Sequence, residues 1–75
     1  MPRPVIPKHR RTLGEAIRSR RKLARLSQET LAEKARLHPV YVSAVERGIK
    51  TISVDALARI AAALKVRLRD LLWDA

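Results

Sequence analysis

The chain has 75 residues, 17 of them Lys or Arg and 7 Asp or Glu, for a formal net charge of +10. That length allows one small domain, which buries only about 60% of the surface its unfolded chain exposes, too little for a deep catalytic cleft with a supporting shell. With no cysteine, a disulfide framework, a thiolate metal cage and a sulfur nucleophile are excluded, and a reducing, cytoplasmic setting is expected.

Hydrophobic residues make up 47% of the chain, too many for a disordered polycation. No apolar run approaches the roughly 18 residues of a membrane span, and no signal peptide is expected near Val5 and Ile6, which stand between prolines. The charge is concentrated: residues 1–25 hold nine basic and one acidic side chain, against four and three in each of the two following thirds. So dense a basic region points to a polyanion, nucleic acid or an anionic membrane surface, the other reading being a solubilising face. Binders of single strands stack bases on aromatic rings. Only Tyr41 and Trp73 are aromatic here, which favours duplex DNA.

Residues 1–11 place three prolines in the first seven positions and show no helical period. They read as an extended or disordered basic arm, with the globular domain over residues 12–75. Thr12 and Glu15 form a capping box, and Leu13, Ile17 and Ala24 mark the apolar stripe of a first helix over about residues 12–25. Ser27 is the N-cap of a short helix over about residues 28–35, with Leu31, Ala32 and Ala35 inward. Pro39 suits the first position of a third helix, about residues 39–47, which turns Val42 and Val45 inward and stops at Gly48. Ser53 caps a fourth helix over about residues 54–65, where Leu57, Ile60, Ala61 and Leu64 recur at helical spacing. Val66, Leu68, Leu71, Leu72 and Trp73 suggest a short fifth. No strand pattern or repeat competes, so the predicted fold class is all-α. Residues 36–38 separate the second and third helices, and small Ala32 permits their close approach, which is helix-turn-helix geometry.

The segment LSQETLAEKARLHPVYVSAVERG resembles the helix-turn-helix of phage-repressor, Cro and Xre-type regulators, with Leu26, Ser27, Gln28, Leu31, Ala32, Val42, Ser43, Glu46 and Gly48 at the family's offsets. The likeness extends from LGEAIRSRR to LARIAAALKVRLRDLL. It implies a compact five-helix lambda-repressor-like domain.

Gln28, at the start of the second helix, can donate its amide to a phosphate oxygen beside the helix's free N–H groups, or can simply be solvated. The resemblance implies the phosphate role. With Val42 and Val45 inward, the outward face of the third helix is Pro39, Val40, Ser43, Ala44 and Arg47. In the family this face enters the major groove, so Pro39, Val40, Ser43 and Ala44 are expected near base edges. Their chemistry is apolar contact, of the kind thymine methyls accept, plus one hydroxyl, without a bidentate partner for guanine or adenine. His38 and Arg47 flank the patch. Lys50 and Thr51 in the next loop are expected near the DNA backbone, or as plain exposed loop residues. Arg3, Lys8, Arg10 and Arg11 of the arm either reach a minor groove or phosphates, or belong to a free tail.

Arg21 and Glu46 are implied by the resemblance to form an internal ion pair of structural role; the rival is a phosphate contact from Arg21. Arg25, Arg36 and Lys65 stand where the family often has glycine. Each either adopts a left-handed conformation, at roughly 1 kcal/mol against glycine, or changes the local turn. Arg67 replaces the usual Ser or Asp cap of the fifth helix. His9 and His38 are isolated from other ligand types, so no metal, no cofactor and no enzymatic activity are expected.

The resemblance further implies a homodimer on an inverted-repeat operator. Leu68, Leu71, Leu72 and Trp73 are its expected interface, unless all four close the monomer core. The function expected is sequence-specific binding of double-stranded DNA by a small transcriptional regulator, of repressor or controller type, in the cytoplasm and on the nucleoid when bound. The alternative is an antitoxin-like protein that neutralises a partner and autoregulates its operon. A membrane-active cation is disfavoured by five short helices in place of one long amphipathic one.

Overall fold

Five helices follow one another in the computed structural model, which describes residues 6–72: α1 (Lys8–Leu23), α2 (Gln28–Ala35), α3 (Pro39–Glu46), α4 (Val54–Leu64) and α5 (Leu68–Leu72). No strand occurs among the described residues. The fold is all-α, with the helix-turn-helix at α2 and α3.

α1 starts earlier than the sequence suggests. Pro7 stands at its N-cap, and the Pro7 carbonyl accepts the N–H groups of Arg10 and Arg11 at 3.1 Å. Proline is tolerated there because a helix start needs no N–H from it. Thr12 is thus interior, and its hydroxyl donates to the Lys8 carbonyl at 2.8 Å, so the Thr12–Glu15 capping box does not form. Lys8, Arg10 and Arg11 are helical residues and no arm; Arg3 lies outside the described residues. Gly48 explains part of the extension. It has φ 75°, and a Cβ there would stand 2.8 Å from Ile6 Cγ2 and 3.2 Å from the Arg11 Cα, so the start of α1 is packed on the loop after α3.

Ile17, Leu31, Val42, Val45, Ile60 and Leu71 are the largest fully buried side chains, one or two from each helix. Leu13, Leu26, Leu37, Tyr41, Ile52, Val66 and Leu68 close around them. α2 packs on α3 and α4, while α1 crosses α3, α4 and α5. Ala24, expected in the stripe of α1, is exposed because the helix ends at Leu23 and the chain turns off the core there.

Four helix ends close by one device. At α1, α2, α3 and α4 a residue in the left-handed region donates its N–H three residues back, and the next N–H reaches five back: Arg25 to Lys22 with Leu26 to Arg21, Arg36 to Glu33 with Leu37 to Ala32, Gly48 to Val45 with Ile49 to Ala44, and Lys65 to Ala62 with Val66 to Ala61. This paired closure satisfies carbonyls that a helix end otherwise leaves free. Arg25, Arg36 and Lys65 hold φ of 59°, 56° and 58°. The turns therefore keep the geometry that glycine would favour, with a basic residue in its place. α5 begins without help from the Arg67 side chain: Asp70 Oδ2 accepts the Arg67 N–H at 2.9 Å, the reciprocal half of a capping box.

Candidate nucleic-acid interface

Two local signals position the helix-turn-helix. Ser27 Oγ accepts the Thr30 N–H at 3.0 Å at the start of α2, and His38 Nδ1 accepts the Val40 N–H at 3.1 Å at the start of α3. His38 is thus exposed and engaged as the cap of α3, with Pro39 following it in the first turn.

Arg21, Glu46 and Gln28 converge between α1, α2 and α3. Arg21 Nε donates to Glu46 Oε2 at 2.7 Å and Arg21 Nη2 to Glu46 Oε1 at 3.1 Å, a two-pronged contact. Arg21 Nη1 donates to the Leu26 carbonyl at 3.0 Å. The side chains are 11% and 2% exposed, so this pair is largely withdrawn from water. Such a pair is favourable when its remaining donors and acceptors are met. Gln28 Nε2 supplies a third donor, to Glu46 Oε1 at 3.0 Å. The Gln28 amide is therefore turned toward Glu46, where the sequence suggested a phosphate; an NH2 group keeps one further donor.

Around this junction runs a groove lined by Arg18, Arg21, Ser27, Gln28, Glu29, Ser43, Glu46 and Arg47. It joins the N-terminal end of α2 to the exposed side of α3. Arg18 is exposed and one turn before Arg21. Its place beside Gln28 and Arg47 was legible only in the three-residue spacing from Arg21, which puts both arginines on one helix face.

On α3, Val40 is 67% exposed, Pro39 and Ser43 are partly exposed, and Arg47 is exposed. Ala44 is different. It is 8% exposed, and its carbonyl accepts the N–H groups of Ile49 and Lys50 as the chain folds back along the end of α3. The outward face is thus Pro39, Val40, Ser43 and Arg47, without Ala44. Lys50 and Thr51 are exposed in the following loop, where the Tyr41 hydroxyl donates to the Thr51 carbonyl at 3.2 Å. His9 and Arg10 of α1 line one shallow pocket with Lys50 and Thr51. Basic residues at the start of α1 are thereby fixed beside this loop.

At the other end of the molecule Leu71 is fully buried and belongs to the monomer core, because α5 lays it against the other helices. Leu68 is partly buried, Leu72 is 45% exposed, and Trp73 lies outside the described residues. No helix among the described residues is long and apolar enough to cross a membrane.

A family model described as helix-turn-helix matches residues 17–71. Over 53 residues, 71% of this chain, 45% are identical to an uncharacterised HTH-type transcriptional regulator of Mycobacterium tuberculosis, but the chain spans only 38% of that protein's length. Control protein C.BamHI of Bacillus amyloliquefaciens is 40% identical over 60 residues, 79% of this chain and 74% of the relative. Among solved structures, the restriction-modification controller protein C.AhdI from Aeromonas hydrophila superposes with a TM-score of 0.80 at 38% identity, over 81% of this chain and 92% of its own. SinR, the master regulator for biofilm formation, superposes in its complex with DNA with a TM-score of 0.77 at 34% identity, over 80% of this chain and 97% of its own. SinR has also been solved in complex with SinI protein, again at a TM-score of 0.77 and 34% identity, over 80% of this chain and 59% of that one. With the motif's offsets, five helices and a matching family model in agreement, the chain belongs to the helix-turn-helix family of Xre and lambda-repressor-like regulators.

Proposed function

We propose that the chain binds double-stranded DNA as a small transcriptional regulator, with α3 in the major groove. The observation that carries this reading is the exposed face of Val40, Ser43 and Arg47 bordered by Arg18 and Gln28 in one groove. Arg18 and Arg47 supply phosphate contacts, and the N-terminal N–H groups of α2 face the same strand. Val40 and Pro39 give apolar contact with thymine methyls, and Ser43 gives one hydrogen bond to a base edge. Lys50, with His9 and Arg10, meets the backbone on the other side of α3. SinR, solved on DNA with the same fold, supports this arrangement. Selection of bound sequences from random duplexes, followed by a salt titration, tests it: a defined motif is expected, and a flat selection with steep salt dependence would leave only nonspecific binding.

The reading includes a two-fold homodimer on an inverted repeat, with Leu72 and Leu68 at the contact. Sedimentation at tens of micromolar is expected to give a dimer that Leu72→Glu dissociates. A second reading, a protein that also neutralises a partner, is favoured by one observation: SinR, of the same fold, has been solved in complex with SinI protein. Stable co-purification with the product of an adjacent gene checks it.

A further inference from the structure

Lys34, Arg36, Arg59 and Lys65 surround a groove between the C-terminal parts of α2 and α4, with Ala62 and Ala63 completing its lining and no acidic residue in it. All four cations are exposed, and among the described residues none takes part in an ion pair. Lys34, Arg36 and Lys65 sit at helix C-termini, where the negative end of the macrodipole favours a cation. Arg59 has no such reason. It lies in the middle of α4, and Asp55 one turn before it is not within ion-pair distance. Four like charges around one concavity repel one another and concentrate a field that an anion would relieve.

Most of the groove lies away from the candidate DNA surface, with Arg36, three residues before Pro39, its nearest cation. Gln28 opens α2 on the side of Arg18 and Arg47, and Lys34 and Arg36 stand about 10 Å further along the helix axis. Likewise the loop with Lys50 and Thr51 leads to the N-terminus of α4, whereas Lys65 closes its far end, about 16 Å away. We propose that this groove docks an acidic segment of a protein partner while the domain is on DNA. Carboxylates pair with the four cations, and a small apolar side chain rests on Ala62 and Ala63. The partner's negative charge fits here and is disfavoured at the DNA itself, which makes the two sites compatible in one complex.

A fluorescein-labelled decaglutamate peptide is the probe, titrated into the full chain alone and into the chain saturated with a duplex. The peptide is expected to bind in both states, and Lys34→Glu combined with Arg59→Glu is expected to raise its Kd about tenfold or more while changing duplex affinity by less than about twofold. A charge-matched variant, Lys22→Glu with Arg69→Glu, reads the effect of net charge alone and is expected to retain peptide binding. Displacement of the peptide by duplex, equal loss in the charge-matched variant, or a duplex affinity that falls along with peptide binding would each overturn the proposal; the last would assign the groove to nucleic acid. The competition arm rests on the DNA-binding reading above. If no duplex binds, that reading fails, while the titration of the free chain still reports on the groove.

Discussion

One carboxylate ties three helices at the centre of the candidate interface. Glu46 Oε1 and Oε2 receive two donors from Arg21 and one from Gln28, so removing Glu46 leaves a nearly buried guanidinium with the Leu26 carbonyl alone and takes the carboxylate partner from the Gln28 amide. Glu46→Ala is expected to destabilise the fold by roughly 3 to 5 kcal/mol, a large share of what a domain of this size has. Glu46→Gln keeps the shape and one acceptor, so urea denaturation is expected to place it between the two. An unchanged midpoint for Glu46→Ala would show that the pair contributes nothing. The left-handed basic residues give a second prediction at this scale. A side chain in that region costs about 1 to 2 kcal/mol, partly offset by the extra freedom glycine has when unfolded, about 0.5 to 1 kcal/mol. Lys65 also meets the C-terminal end of α4, so the informative comparison is Lys65→Gly against Lys65→Ala, both of which lose the charge. Glycine is expected to be the more stable by roughly 1 kcal/mol. Equal stability would mean that the φ of 58° carries no strain in solution.

Packing of α1 on α3 depends on Gly14, which is buried in the interior of α1. A Cβ there would meet the Glu46 and Val45 carbonyl oxygens, the latter at 2.5 Å, and the Glu46 carbonyl carbon at 2.8 Å. These are backbone atoms and cannot rotate aside. Alanine is the better helix former by about 1 kcal/mol, but overpacking costs about 1 to 3 kcal/mol and here displaces a whole helix end. Gly14→Ala is therefore expected to lower stability in thermal melts and to reduce binding to a selected sequence more than binding to random duplex, because α3 changes its angle. Helix starts set by one side chain were legible in the sequence: Ser27 and Ser53 cap α2 and α4, and Pro39 opens α3. The start of α1 was not, since the Thr12–Glu15 pattern satisfies the local rule while packing from the distant Gly48 loop supports the extra turn. Ala44 escaped the sequence for the same kind of reason. Its position around α3 alone leaves it facing outward, and only the fold-back of residues 48–50 covers it. Asp70 replaces a cap that residue 67 lacks, a reciprocal bond legible in the three-residue spacing once α5 is known to begin at Leu68.

Over the whole molecule, the net charge of +10 is divided between places that do different work. The face of α3 proposed to meet bases is nearly uncharged apart from Arg47, so in that proposal sequence preference rests on Val40, Pro39 and Ser43, whose interactions would be short-ranged. The basic start of α1, fixed beside Lys50 and Thr51, is in the same proposal a phosphate contact that carries no sequence information. Affinity and specificity should then separate by mutation. Replacing Arg10 and Arg11 together by Gln is expected to weaken binding to selected and random duplexes by the same factor. The slope of log K against log salt should fall by about 0.9 for each phosphate that is no longer neutralised, hence by up to about 1.8. Val40→Ala is expected to do the reverse, lowering the preference for thymine at one operator position with the slope unchanged. Titrations from 50 to 200 mM salt, about the range over which phosphate neutralisation is most evident, separate the two. An unchanged slope in the Arg10/Arg11 variant would take the start of α1 off the DNA, and a changed sequence preference in it would give those arginines a base-reading role that their distance from α3 in the chain does not suggest.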